Sequence, residues 1–269
     1  LKIRDKVFVV TGAANGMGRH VALLLVDKGA RVAAVDIDEA GLKAAVALAG
    51  PRAGQVSTHV IDVVDRSATG ALPDAVVAAH DAVDGLVNVA GIIHRFARLN
   101  ELDFGEIERV LNINLYGVLN MTKAFLPHLL KRPTAHITIV SSMASYAPVP
   151  GQAIYGASKA AVKMLAEGLN SELRGTDVRV SVVFPGAVRT EIAVNSGAMT
   201  PQENEATANT MRMLPAPVAA AKIVRGIEKD SYRVFAGFDA FLLDKLNRVA
   251  PQLVAKLINR QMRDVLPPR

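Results

Sequence analysis

A chain of 269 residues, 51% hydrophobic and 21% charged, has enough apolar material for one large core, which excludes disorder as its main state. Its net charge of +6 is not gathered into any long Lys/Arg run, which argues against nucleic acid as a partner. With 0 Cys, disulfides, Cys-ligated zinc and thiol nucleophiles are excluded, and a reducing, cytoplasmic setting is expected.

The polar start, Leu1-Lys2-Ile3-Arg4-Asp5-Lys6, does not read as a signal peptide. No stretch reaches the roughly 18 uninterrupted apolar residues of a membrane-crossing helix. Residues 6–11 form an apolar run of buried-strand type. Residues 16–28 repeat apolar side chains at helical spacing and stop at Gly29. Strands are predicted at 31–36, 56–62, 84–90, 135–141 and 178–184. Helices are predicted at 39–49, 66–80, 104–128 (with a break or bend inside) and 155–174. After Pro185 the pattern changes. Residues 189–215 are small and polar and read as a mobile substrate loop with a short helix. A helix is predicted at 217–229 and a last strand at 233–236. The extension from 238 to 269 carries Leu242, Leu246, Val249, Leu253 and Leu257 at helical spacing, with Pro251 interrupting.

Alternating strands and helices, with strands apolar throughout, predict an α/β fold. It is a three-layer, Rossmann-like, doubly wound parallel sheet of about seven strands with helices on both faces. No Pro/Gly/Ser linker appears before residue 185, so residues 1–269 are expected to form a single dinucleotide-binding catalytic domain.

Three positions carry the chemistry. Ser142 precedes Tyr155 by thirteen residues, and Lys159 follows Tyr155 by one helical turn, so phenol and ammonium share a helix face. A phenol titrates near pH ~10. A cation held beside it lowers that value, and a Ser from another element can polarise a substrate oxygen. The set is a proton-transfer device for an alcohol or carbonyl.

A Gly-rich turn, Thr11-Gly12-Ala13-Ala14-Asn15-Gly16-Met17-Gly18, joins the first strand to the first helix. Glycines allow close backbone approach, and the helix N-terminus attracts an anion, as a dinucleotide pyrophosphate requires. Asp36 ends the second strand, where its carboxylate can accept from the adenosine ribose hydroxyls and would repel a 2′-phosphate. Neither Asn15 nor Ile37 supplies the cation that such a phosphate needs, so NAD is expected over NADP. Asp38 can take over any helix-capping duty. Asp62 can bond the adenine amino group, with Val63 packing near the ring. Asn88, Ala90 and Gly91 end the fourth strand, where small residues let a cofactor cross.

Together these residues resemble the short-chain dehydrogenase/reductase family, in its compact single-domain branch, over about residues 5–190. The resemblance rests on Gly12, Gly16 and Gly18, Asn88-Val89-Ala90-Gly91 (Val89 where a second Asn is common), Asn114 in Asn114-Leu115-Tyr116-Gly117, the Ser142, Tyr155, Lys159 set, and Pro185-Gly186-Ala187-Val188-Arg189-Thr190. Ser145 stands where the family often has Gly. The resemblance implies that Tyr155 moves the substrate proton and Ser142 holds the substrate oxygen. Lys159 would lower the phenol pKa and bond the nicotinamide ribose, and Asn114 would help hold a water between Lys159 and bulk solvent. Pro185, Gly186, Val188 and Thr190 would hold the nicotinamide end. A homo-oligomer, dimer or tetramer, is also implied, through the two long helices.

The expected activity is NAD-dependent interconversion of a secondary alcohol and a ketone by hydride transfer, with no metal. Substrate choice is assigned to segments 92–96, 143–152 and 191–214, with His94, Ala144, Tyr146, Gln152, Met199 and Met211 as pocket candidates. Most side chains in these segments are apolar, so a lipophilic small-molecule alcohol or ketone is expected. The rival reading is a non-catalytic NAD-binding regulatory or scaffold protein on the same fold. Residues 240–269 hold six Lys/Arg against two Asp and an apolar stripe. Packing on the core or a neighbouring subunit is favoured there over contact with an anionic membrane.

Overall fold

The computed structural model describes residues 1–210 and 213–262. Strands and helices alternate through β1 (Val7–Thr11), α1 (Gly16–Asp27), β2 (Arg31–Asp36), α2 (Glu39–Leu48), β3 (Val56–Val60), α3 (Arg66–His80) and β4 (Gly85–Asn88). They continue through α4 (Phe104–Leu111), α5 (Gly117–Leu129), β5 (Ala135–Val140), α6 (Ala153–Glu172) and β6 (Val178–Pro185). The remainder holds β7 (Val188–Arg189), α7 (Ile192–Asn195), α8 (Pro201–Thr210), β8 (Leu214–Pro215), α9 (Ala216–Glu228), β9 (Arg233–Ala236), α10 (Phe238–Val249) and α11 (Pro251–Gln261).

Several helix boundaries have a local cause. Asp38, Asp65 and Asp103 accept from the backbone N–H groups that would otherwise be orphaned at the starts of α2, α3 and α4. Gly29, at φ +86°, ends the α1 region in a conformation that other residues resist.

The main sheet runs β3-β2-β1-β4-β5-β6-β9, with every neighbouring pair parallel. The chain winds outward from β1 to β3, returns to β4, and winds outward the other way. That reversal opens a crevice beyond the C-terminal ends of β1 and β4.

Period-two alternation divides the strand side chains between two cores. Val7 and Val9 join Leu86, Ile137 and Val182 on the face covered by Leu72 and Val76 of α3, Phe125 of α5 and Val162 of α6. Phe8 and Val10 join Val32 and Val183 on the other face, under Leu25 of α1 and Ile223 and Ile227 of α9. Each such fully buried Leu, Ile or Phe contributes about 2 kcal/mol of transfer free energy.

Departures from the expected boundaries fall at informative places. The break inside 104–128 is one π-helical turn, Asn112–Tyr116, between α4 and α5. Its wider hydrogen-bond spacing interrupts the helix register and buries Asn114. Helix α6 begins at Ala153, two residues before Tyr155. Segment 189–215 contains α7 and α8, and its two ends are joined by parallel pairing of Val188 with Leu214 and Arg189 with Pro215.

Pro251 does not simply interrupt the tail. It opens α11, in a first turn whose N–H groups have no helical partner to lose. Val254 and Ile258, one turn apart on α11, pack with Tyr146, Ala147, Leu243 and Leu246. The Tyr146 hydroxyl donates to the Ala240 carbonyl at 2.6 Å. Asp244, 3% exposed, pairs with Arg233 at 3.0 Å and Arg248 at 3.2 Å. Residues 238–262 therefore lie on the core. Among the described residues, no helix is long and apolar enough to cross a membrane.

Candidate active site

Three glycines after β1 serve three steric needs. Gly12 sits at φ +69°, and a Cβ there would lie 3.0 Å from the Ala90 backbone. Gly16 sits at φ +50°. Gly18 has ordinary dihedrals, but a Cβ would collide with the Gly12 carbonyl oxygen. The turn is thus folded tightly against the end of β4, and Thr11 Oγ1 secures it by accepting from Val89 N at 3.0 Å and Ala90 N at 3.1 Å.

Asn15, just before α1, makes no side-chain cap. Its amide donates instead to Asp38 at 3.2 Å, and its oxygen accepts from Arg19 at 3.0 Å. The Arg19 guanidinium also donates to the Ala14 carbonyl. These bonds engage its Nε and Nη2 with the turn. Uncapped first-turn N–H groups on α1 leave an anion site at that helix end.

Asp36 accepts from Ala14 N at 2.9 Å and Asp38 N at 3.1 Å, while Asp38 caps α2 through Gly41 N at 2.9 Å. Asp62 accepts from Val64 N at 2.9 Å, and Asn120 braces this turn by donating to Val63 O at 3.0 Å.

A cavity of about 820 Å³ runs along these elements. Its walls include Gly12, Asn15, Gly16, Met17, Gly18, Asp36, Ile37, Asp62, Val63, Ala90, Gly91 and Thr190 from the sequence prediction. Size, glycine cradle, helix terminus and Asp36 together fit a dinucleotide.

Other predicted cofactor residues lie off this wall. Asn88 turns its amide to Thr122 of α5 at 3.4 Å, leaving its oxygen buried without a partner. The turn after Pro185 is braced from the tail. A Cβ on Gly186 would collide with the Asp239 carboxylate, which accepts from Ala187 N at 3.0 Å. Val188 belongs to the β7–β8 stem.

Ser142 follows β5, and its Oγ accepts from Ala144 N at 3.1 Å, leaving the hydroxyl proton to donate elsewhere. Neighbouring Ser141 is committed, donating to the Lys159 carbonyl at 2.7 Å. Tyr155 and Lys159 stand on the first turns of α6. The Lys159 ammonium donates to Val140 O at 3.1 Å and lies 5.9 Å from the Tyr155 ring centre. Asn114 accepts from Ile92 N at 2.8 Å and donates to Ile92 O at 2.9 Å and Ser158 Oγ at 3.0 Å. Both its amide hydrogens are therefore spent on protein, and it ties the chain after β4 to α6. A Cβ on Gly91 would come within 3.1 Å of both Asn114 Oδ1 and Lys159 Nζ, so a side chain there would crowd both.

The electrostatics differ from the sequence expectation. Burial raises the Tyr155 phenol above its ordinary value, opposed by hydrogen bonding with Ser142. Burial also pulls Lys159 down to about 8. Desolvation dominates at Tyr155, and what opposes it is the bond with Ser142 and not the expected Lys159 charge.

The substrate candidates separate. Ala144 lies beside the start of α6, its carbonyl 3.1 Å from where a Gly156 Cβ would be. Tyr146 is committed to Ala240 and packs on Phe184, with ring centres 5.6 Å apart, so it belongs to the tail contact. Gln152 and His94 are buried together, with Gln152 Nε2 donating to His94 O at 2.7 Å. Met199 is half-buried behind α7, and Met211 lies outside the described residues.

Arg109 and Ser196 were not predicted. Both line the cavity, and Arg109 donates to Ser196 O at 3.1 Å while Ile93 N donates to Ser196 Oγ at 3.1 Å. Neither has a local sequence signature, because the contact joins elements far apart in the chain.

The chain matches the family model described as short chain dehydrogenase over residues 6–201. It is 37% identical over 259 residues to the oxidoreductase SadH of Mycobacterium tuberculosis, covering 94% of each chain. It is similar, at 25% identity and a TM-score of 0.82, to a short chain dehydrogenase/reductase from Burkholderia phymatum solved with NAD, covering 100% of this chain and 99% of that one. A short chain dehydrogenase from Burkholderia cenocepacia solved with NADP gives 25% identity and a TM-score of 0.79, covering 96% and 99%.

Proposed function

The chain belongs to the short-chain dehydrogenase family of oxidoreductases, and from that premise we propose that it interconverts a secondary alcohol and a ketone, with NAD preferred over NADP. The observation that carries this reading is the corner at Gly91. There Asn114 and Lys159 close on one glycine, one turn of α6 from Tyr155, at the end of a cavity that fits a dinucleotide.

Gly12, Gly16 and Gly18 would admit the pyrophosphate to the α1 terminus. Asp36 would accept from the adenosine ribose. Its carboxylate supports NAD, since a 2′-phosphate would meet an anion there. The nicotinamide supplies the hydride acceptor or donor. The chain supplies orientation and the proton. Ser142, hydrogen-bonded with Tyr155, would turn its hydroxyl to the substrate oxygen. Tyr155 gives its proton to that oxygen in ketone reduction and takes one in alcohol oxidation. The raised phenol is protonated at neutral pH and ready to act as the acid. Lys159, held on Val140 O, fixes a positive charge beside the phenol that steadies the phenolate when it forms.

The test is Tyr155→Phe. Turnover, followed as NAD(H) absorbance over a panel of secondary alcohols and ketones, is expected to fall by about 10²–10⁴ while NAD affinity changes little. Turnover equal to the unmodified chain would refute the assignment.

A further inference from the structure

His94 and Gln152 are 4% and 3% exposed, and each buries one polar atom with no hydrogen-bond partner, His94 Nε2 and Gln152 Oε1. Buried polar atoms are ordinarily satisfied, so two adjacent exceptions point to a missing partner.

Their chemistry is fixed by the bonds they already make. His94 Nδ1 lies 2.6 Å from the Arg95 carbonyl, which can only accept, so in the neutral ring Nδ1 carries the hydrogen and Nε2 is an acceptor. Gln152 Nε2 donates to the His94 carbonyl at 2.7 Å, which sets the amide orientation and leaves its oxygen free. With the ring in that tautomer, both orphans are acceptors. A cation would call for a carboxylate, and a carboxylate ligand would bring more acceptors. The matching group is a neutral donor.

Their position is beside the reaction centre. The segment holding His94 leaves β4 at Gly91, against Asn114 and Lys159, and returns to the start of α6, where Ala97 N donates to Gly151 O at 3.3 Å. Gln152 immediately precedes α6, three residues from Tyr155, and its carbonyl accepts from Gly156 N at 2.9 Å.

We infer that the substrate carries a second hydroxyl, besides the carbinol or carbonyl that reacts, and that His94 Nε2 and Gln152 Oε1 receive it. This narrows the apolar substrate expected from the sequence to a diol or hydroxyketone, and it rests on the oxidoreductase reading above. A site built to bond a hydroxyl rejects the analogue lacking it strongly, by as much as about 10⁴-fold.

The experiment compares matched pairs with NAD: cyclohexanol against its 1,2-, 1,3- and 1,4-diols, and 2-butanone against 3-hydroxy-2-butanone and 4-hydroxy-2-butanone. At least one hydroxylated member is expected to exceed its partner by about 100-fold in kcat/KM. Calorimetric binding of the same pairs to NAD-loaded Tyr155→Phe should rank them alike. In Gln152→Met and His94→Phe, checked for folding by thermal melts, that ratio is expected to fall at least tenfold. Ratios within about threefold of one at every spacing overturn the inference while leaving the oxidoreductase reading in place, and so do variants that fold and keep the preference. If neither variant folds, the wild-type ratios and the binding ranking decide. Absence of turnover with every member removes both readings.

Discussion

Replacing Lys159 with Met should stabilise the fold while removing the activity. Lys159 is 3% exposed, and its burial carries its pKa from 10.5 to about 8. A shift of that size corresponds to about 3 kcal/mol favouring the neutral form in the folded state. At pH 7 lysine is protonated in both folded and unfolded chains, so the penalty acts in full. As pH rises from about 8 toward about 10.5 the folded state releases its proton first, the unfolded state binds more protons, and stability rises with pH. Methionine has similar length and no charge. It forfeits the bond to Val140 O, which costs about 1 kcal/mol, so the expected net gain at pH 7 is about 2 kcal/mol. For a chain of this size that is a rise of about 4–8 °C in melting temperature. Chemical denaturation of both proteins at pH 7 and pH 10 measures the gap, which should shrink at the higher pH. A variant less stable than the parent at pH 7, or a gap independent of pH, would refute the reasoning.

Gly18→Ala drives a Cβ into the Gly12 carbonyl oxygen, so dinucleotide affinity measured by fluorescence titration should fall at least tenfold. Asp36→Ser combined with Ile37→Arg removes an anion and adds a cation at the ribose end, and the NADP/NAD ratio of kcat/KM should rise by about 100-fold or more. The raised Tyr155 phenol predicts different pH trends in the two directions. Ketone reduction should hold its rate up to pH 10, where the phenol stays protonated, while alcohol oxidation should still be climbing there. Initial rates in both directions from pH 6 to 10 check this.

The cofactor edge was legible because its constraints are local. A glycine pattern between a strand and a helix, or Asp36 at a strand end with Asp38 two residues on, encodes its geometry within a few residues. The same holds for Arg31–Asp36 and Arg66–His80, whose periodicity gave their boundaries without error. Long-range contacts wrote the rest. The π turn at Asn112–Tyr116 has the composition of an ordinary helix, and only the demand that Asn114 reach Ile92 and Ser158 distinguishes it. Asn88 matched a motif, yet the direction of its side chain depended on Thr122, 34 residues away.

The tail carries that point furthest. In sequence it was an amphipathic stripe with an interrupting proline, for which packing on the core or a neighbouring subunit was favoured over a membrane. Folded, its first turn reaches two loops at the reaction centre. Asp239 holds Ala187 beside Gly186, and the Ala240 carbonyl holds Tyr146, four residues past Ser142. Buried Asp244 fixes α10 to Arg233 of β9, and β9 is itself the sheet neighbour of β6. Removing one partner of such a buried pair costs about 3–5 kcal/mol, so this anchor is stiff. The two loops follow β5 and β6, and only the second carries a motif, Pro185-Gly186-Ala187-Val188-Arg189-Thr190. Their placement depends on residues 52 and 94 positions downstream, which is why the proton chemistry could be read early and the substrate side could not.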